Sequence, residues 1–170
     1  IAAMNPCKCG YLDDAGRACN KAPRCAGDYQ GRISGPLLDR IDLHVDVPAV
    51  DTLSMLTPAN AESSAVVAAR VARARNAQQA RFTRMGIHAR TNAQVSGDHL
   101  QAMVQLNPES NALLEHATRS LQLSMRGLTR VLRIARTIAD LEQVADVSRT
   151  HLAEALSYRQ QPQGRFLDAA

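Results

Sequence analysis

The chain has 170 residues, of which 45% are hydrophobic but only 3% aromatic, with no tryptophan. That length allows one domain or one and a half, and an aliphatic core of this kind suits packed helices better than a β-sandwich. A net charge of +4, from 20 basic and 16 acidic residues, permits a phosphate or nucleic-acid partner without requiring one.

The opening residues, "IAAMNPCKCG", carry neither the charged n-region nor the apolar h-region of a signal peptide. They read as the end of a buried strand, and we expect a piece of a longer protein. No apolar run approaches the roughly 18 residues of a membrane span. All four cysteines fall between Cys7 and Cys25. Without secretory signals, that clustering predicts a cytoplasmic chain with a local thiol site rather than a disulfide framework. The spacing is C-x-C-x9-C-x5-C. Four thiolates so close in sequence can supply the soft tetrahedral ligand set of zinc, with Asp13 to Gly16 as the tip between ligand pairs. The usual C-x2-C knuckle is missing from both halves, so a loop of free thiols stays open. "GDYQGRIS" places Gly27 and Gly31 near each other but has no phosphate-cradling pattern, and no G-x-x-x-x-G-K-[ST] occurs.

"ISGPLLDR" predicts a short helical turn with Pro36 near its start. "IDLHVDVP" alternates apolar and polar residues at Ile41, Leu43, Val45 and Val47, a strand of period two that ends at a proline. Arg40 sits at the junction, between Asp39 and Asp42. It reads either as half of a structural ion pair or as an arginine held to project into a neighbour's site. Its planar fork matches phosphate oxygens and never loses its charge. The spacing does not choose between these.

From about residue 62 the period becomes helical. In "ESSAVVAARVARARNAQQARFTRM", Val67, Val71, Ala74, Phe82 and Met85 share one stripe, and Arg70, Arg73, Arg81 and Arg84 the next. "SGDHLQAMVQL" predicts a short helix capped by Ser96. "NPESNALLEHATRSLQ" predicts another, with Asn107 as cap and Pro108 in the first helical position. In "RGLTRVLRIARTIADLE" the apolar face is Leu128, Val131, Leu132, Ala135, Ile138 and Ala139, and the basic face Arg126, Arg130 and Arg133. "DVSRTHLAEALSYR" closes the series with Ser148 as cap. The arginine stripes fit either a solvated helix face or a grip on a phosphate backbone. No aromatic residues interleave with them, so base stacking has no support. The five histidines are scattered and read as surface or structural.

Three stretches, "AAMNPCKCGY", "RISGPLLDRIDLHVDVP" and "MRGLTRVLRIARTIADLE", resemble in this order the magnesium-chelatase-like AAA+ ATPases, specifically the bacterial YifB/ComM competence group. The resemblance runs from Ala2 to about Arg159. It implies a mainly α chain: a small α/β remnant of an AAA+ core over residues 1–50, with one or two strands and the cysteine-rich loop, then a helical-bundle lid over 51–160 and a flexible tail over 161–170. The Walker segments would lie upstream, so the chain alone would be inactive. Asn5 matches the sensor 1 position, Arg40 the arginine finger that reaches the ATP of the adjacent subunit, and Arg126 the sensor 2 arginine, with Arg130 one turn further as runner-up. Many members have C-P-C-G followed by a C-x-C pair. Cys7, Cys9 and Cys19 fit that frame, Lys21 stands in the fourth place, and Cys25 follows four residues on. The resemblance further implies ATP with Mg2+ as cofactor and a homohexamer acting on DNA, in branch migration during natural transformation or recombination. A chelatase motor subunit, or a non-enzymatic zinc- and arginine-based nucleic-acid module, are the alternatives. The "NPCKCG" loop and the "RTIADLE" helix favour the ComM side.

Overall fold

A computed structural model describes residues 1–12, 14, 16–48 and 61–159. Asp13 of the expected loop tip, the segment 49–60 and the expected tail lie outside the described residues. The described chain divides into two compact units, residues 1–41 and 42–159.

The first unit holds two short helices, α1 (Arg24–Gln30) and α2 (Gly35–Leu38), with Pro36 in the first turn of α2 as its fixed φ favours. The rest is turns. Its buried residues are Cys7, Cys25 and Ala26, with Cys9, Leu12 and Cys19 packed against them. Gly10, at φ +81, closes a turn in which its N–H donates to the Cys7 carbonyl at 3.1 Å. A side chain at that φ would be strained. The Gln30 amide donates to the Pro6 carbonyl and ties the two ends of the cysteine segment together.

The second unit is helical: α3 (Ser64–Met85), a single 3₁₀ turn (Asn92–Gln94), α4 (Gly97–Met103), α5 (Pro108–Ser120), α6 (Met125–Leu141) and α7 (Arg149–Ser157). The amphipathic α6 lies at the centre and packs against α3, α4, α7 and the 3₁₀ turn. Val131, Ala135, Ile138 and Ala139 of its expected apolar face are buried, and Leu128 and Leu132 are half-buried. Phe82, Val95, Leu100, Met103, Val104, Ala117, Val147, Leu152, Ala155 and Leu156 complete an almost entirely aliphatic core. No described helix is long and apolar enough to cross a membrane.

Caps define the helix starts. Ser63 and Ser124, and the expected Asn107 and Ser148, each accept a hydrogen bond from the amide two or three residues into their helix. At α7 the box is reciprocal, because His151 Nδ1 accepts from the Ser148 amide at 2.9 Å. The ring proton therefore sits on Nε2, which meets Glu142 Oε2 at 2.9 Å. His151 is thus a buried structural histidine. Ser96 differs from expectation: it makes no side-chain cap bond, and Gly97 follows it at φ +58. α3 ends in a left-handed Gly86, φ +66, which returns an amide to the last turn. Asn107→Ala removes the 2.8 Å bond from the Ser110 amide. It should cost about 1 kcal/mol, read as a lower urea midpoint with an unchanged m-value.

Two features differ from the periodic pattern. The segments read as strands form no ladder among the described residues. Met4, Leu43, Val45 and Val47 are exposed, and the His44 N–H donates to the Tyr158 carbonyl at 3.0 Å rather than to a neighbouring strand; an isolated strand has no independent stability. In α3 the apolar stripe is buried only from Ala74 onward. Val67 and Val71 stay exposed, because the core packs against the second half of the helix.

Candidate functional site

Three of the four cysteines come together. The sulfurs of Cys7, Cys9 and Cys25 all lie within 4.8 Å of one another, with Cys7 and Cys9 3.1 Å apart. No disulfide forms among them. Cys19 is half-buried and packs against the same cluster. The Tyr11 amide, then the Cys7 thiol and the Cys19 amide, hydrogen-bond the Cys9 sulfur and hold its pKa down at about 6. Burial, reinforced by the Cys19 and Cys7 thiols, pushes Cys25 up to about 12. One sulfur is thus poised as thiolate at neutral pH beside a thiol that keeps its proton. At the loop tip, Asp14 Oδ1 accepts from the Gly16 and Arg17 amides at 3.1 and 3.2 Å, and Oδ2 meets Arg17 Nε at 2.6 Å. The Arg17 guanidinium stands 4.8 Å from the Tyr11 ring centroid.

Within the first unit, Asn5 is exposed two residues before Cys7. Arg40 is exposed just beyond α2, where its Nη1 donates to the Pro36 carbonyl at 2.9 Å. In the helical unit, Arg126 is exposed in the first turn of α6. Arg130, one turn on, is largely covered and pairs through Nε with Asp42 Oδ1 at 2.5 Å. Asp42, one of the two acids flanking Arg40 in sequence, is therefore the partner of Arg130. Arg133 Nε donates to the Val95 carbonyl at 2.8 Å.

The arginine stripes do not form continuous basic faces. Arg70 forks onto Glu62 at 3.0 and 2.8 Å, lowering the glutamate's pKa and raising its own. Arg73 and Arg84 are exposed. Arg81 turns inward. Its two terminal nitrogens grip Asp140 Oδ1 and Oδ2 at 2.8 and 2.7 Å, and Asp140 is only 1% exposed. Asn92 Nδ2 donates to Asp140 Oδ2 at 2.8 Å and to Thr137 Oγ1 at 3.0 Å. Arg136, also 1% exposed, donates from Nε to Asp140 Oδ1 at 3.1 Å and from its terminal nitrogens to the Ala145 and Val144 carbonyls at 2.6 and 2.7 Å. Burial lowers the Arg136 pKa while Asp140 pulls it back up; guanidinium stays charged in proteins regardless. One carboxylate thus joins α3, the 3₁₀ turn, α6 and the loop after α6. Sequence reasoning missed this hub. The signal was present: Arg136 and Asp140 are a charged i, i+4 pair set among Ala135, Ile138 and Ala139 on the buried face.

The sequence matches known proteins along nearly its whole length. Residues 61–159 match the family described as magnesium chelatase, subunit ChlI C-terminal, and residues 1–55 match magnesium chelatase, subunit ChlI. Competence protein ComM of Haemophilus influenzae is 36% identical over 160 residues, covering 94% of this chain and 30% of its own. The uncharacterized protein YifB of Salmonella typhimurium is 38% identical over the same shares. An uncharacterized protein of Mycobacterium tuberculosis is 39% identical over 163 residues, 94% of this chain and 31% of its own. The chain thus spans about 30% of the length of these curated relatives. With both of its units matched in this order, the chain belongs to the magnesium-chelatase-like family, in the group of YifB and ComM.

Proposed function

We propose that the chain is the sensor-and-lid portion of a longer AAA+ ATPase that acts on DNA as a cytoplasmic homohexamer. Its task on this reading is branch migration in natural transformation or recombination. The observation that carries the proposal is the match to a competence protein over 94% of the chain. The donor chemistry is consistent with it. A nucleoside triphosphate with Mg2+ supplies the transferable phosphoryl group. Arg40 and Arg126 are exposed guanidinium groups, permanent cations whose forks fit phosphate oxygens.

The roles follow from those properties. Arg40 points its charge at the phosphates held by the adjacent subunit and offsets the negative charge that builds there. Asn5 offers a neutral amide that orients a water by donating and accepting hydrogen bonds. Arg126 holds the lid to the nucleotide, and Arg130, occupied by Asp42, is the weaker candidate. The arginine-module alternative loses ground because Arg81 is committed to Asp140 and Arg70 to Glu62.

The test uses the full-length protein, ATP, Mg2+ and a labelled four-way DNA junction. DNA should raise ATP hydrolysis, and strand exchange should require ATP. Hydrolysis indifferent to DNA but coupled to Mg2+ insertion into a porphyrin would instead establish the chelatase reading. Salt-sensitive DNA binding by the 170-residue chain without any ATP-driven activity of the whole would establish the non-enzymatic module.

A further inference from the structure

We propose that Cys7, Cys9, Cys19 and Cys25 bind one Zn2+ ion, and that this ion is the structural core of residues 1–41. Four observations carry the proposal, and none depends on the ATPase reading.

The first is convergence. Cys7 and Cys9 lie on one turn and Cys25 in α1, yet their sulfurs all come within 4.8 Å of one another. A tetrahedron of zinc–sulfur bonds of about 2.3 Å has sulfur–sulfur edges of about 3.8 Å. The triad therefore closes on an ion by movements of about an ångström or less. Cys19 packs against the same cluster and is the thiol in reach to complete the four.

The second is the lack of any other core. Among the described residues of this unit, Cys7, Cys25 and Ala26 are buried and Cys9, Leu12 and Cys19 pack against them. Three small side chains bury far too little apolar surface to offset the ordering of some forty residues, and domains of that size depend on metals or disulfides. No disulfide is present. An ion bound only by the folded unit contributes its binding free energy directly to folding.

The third is orientation. Gly10, with its left-handed backbone, closes a turn in which its N–H donates to the Cys7 carbonyl at 3.1 Å, and that turn brings the Cys7 and Cys9 sulfurs 3.1 Å apart on one side of the loop. A turn fixed in this way holds two ligands in place before an ion binds.

The fourth is charge. Zn2+ with four thiolates carries a net charge of −2. Between Cys7 and Cys25 the chain has Lys8, Arg17, Lys21 and Arg24 against Asp13 and Asp14, a surplus of four minus two, or +2. The chain has only two lysines, and both lie between cysteines in this segment. Lys21 fits here as a counter-charge while Cys25 serves as the ligand.

The experiment takes the 170-residue chain, expressed with zinc in the medium and purified without chelator. Elemental analysis should find about one zinc per chain. A mercurial reagent should release it with the appearance of four titratable thiols. Replacement by Co2+ should give thiolate-to-metal charge-transfer bands of four-sulfur intensity. Cys7→Ser and Cys25→Ser should each lower zinc at least about tenfold, while the helical circular dichroism of residues 61–159 persists as the check on folding. Cys19→Ser should weaken binding and reduce the cobalt band by one thiolate. A folded chain with no zinc and four freely reactive thiols overturns the proposal. An unchanged cobalt spectrum in Cys19→Ser removes Cys19 from the ligand set and overturns the four-thiolate site.

Discussion

Asp140→Ala should destabilise the helical unit by about 3–5 kcal/mol, the cost of breaking a buried ion pair by removing one partner. The carboxylate is 1% exposed and accepts from Arg81, Arg136 and Asn92. Its loss leaves two guanidinium groups without the carboxylate they grip, one of them as buried as Asp140 itself. Against a typical domain stability of about 5–15 kcal/mol, that change moves the unit close to its unfolding threshold. Two further variants separate charge from shape. Asp140→Asn keeps the volume and part of the hydrogen bonding but removes the charge, and should still cost several kcal/mol. Replacing Arg81, Arg136 and Asp140 together by Met, Met and Leu removes every buried charge at once, and should recover most of the loss. Urea unfolding followed by circular dichroism reads all three. A loss below about 1 kcal/mol for Asp140→Ala would mean that water replaces the carboxylate, and would deny the hub its structural role.

That hub marks where the sequence stopped being readable. Helix α6 was legible because one face repeats small and branched apolar residues with a period near 3.6. Caps at Asn107 and Ser148 were legible because their chemistry is local. Arg81 was not, because periodicity assigns a charged residue to a solvated face and cannot know that Asp140, 59 residues away, waits opposite. Arg136 and Asp140 were hidden for the same reason, although their place among alanines and isoleucine was a warning. The alternating run from Ile41 to Val47 failed in the other direction. Its pattern describes a strand, but a strand is a relation between segments, and its His44 amide meets the Tyr158 carbonyl at the end of α7 rather than another strand. Val67 and Val71 teach a similar point, since an apolar stripe says which face can be buried and not how far along the helix a partner extends. The thiol cluster lay between these cases. Its residues were evident from spacing, whereas the tight triad with Cys19 beside it required the fold.

Arg40→Ala should reduce ATP turnover by about 10³-fold or more in the full-length protein, the scale set by arginine fingers elsewhere, while leaving ATP affinity nearly unchanged. The effect is on the barrier rather than the ground state, since a charge aimed at the developing phosphoryl charge contributes most in the transition state. A factor of 10³ corresponds to about 4 kcal/mol, far more than the structural role of this side chain. Arg40 is exposed and gives a 2.9 Å hydrogen bond to the Pro36 carbonyl in the first turn of α2, so the substitution should change stability by no more than about 0.5 kcal/mol. That contrast is the core of the test. A residue that matters structurally, such as Asp140, loses activity in step with folding; Arg40 should lose turnover with the urea midpoint unmoved. Arg40→Lys should not rescue, because an ammonium on a flexible stem lacks the planar fork. Action in trans adds a further signature. When the variant is mixed with wild-type subunits, turnover should fall in proportion to wild-type sites that face a variant neighbour, including sites whose own chain is intact. Turnover close to wild type in Arg40→Ala, or a mixture in which every intact chain keeps full activity, would assign Arg40 to holding the α2 turn alone.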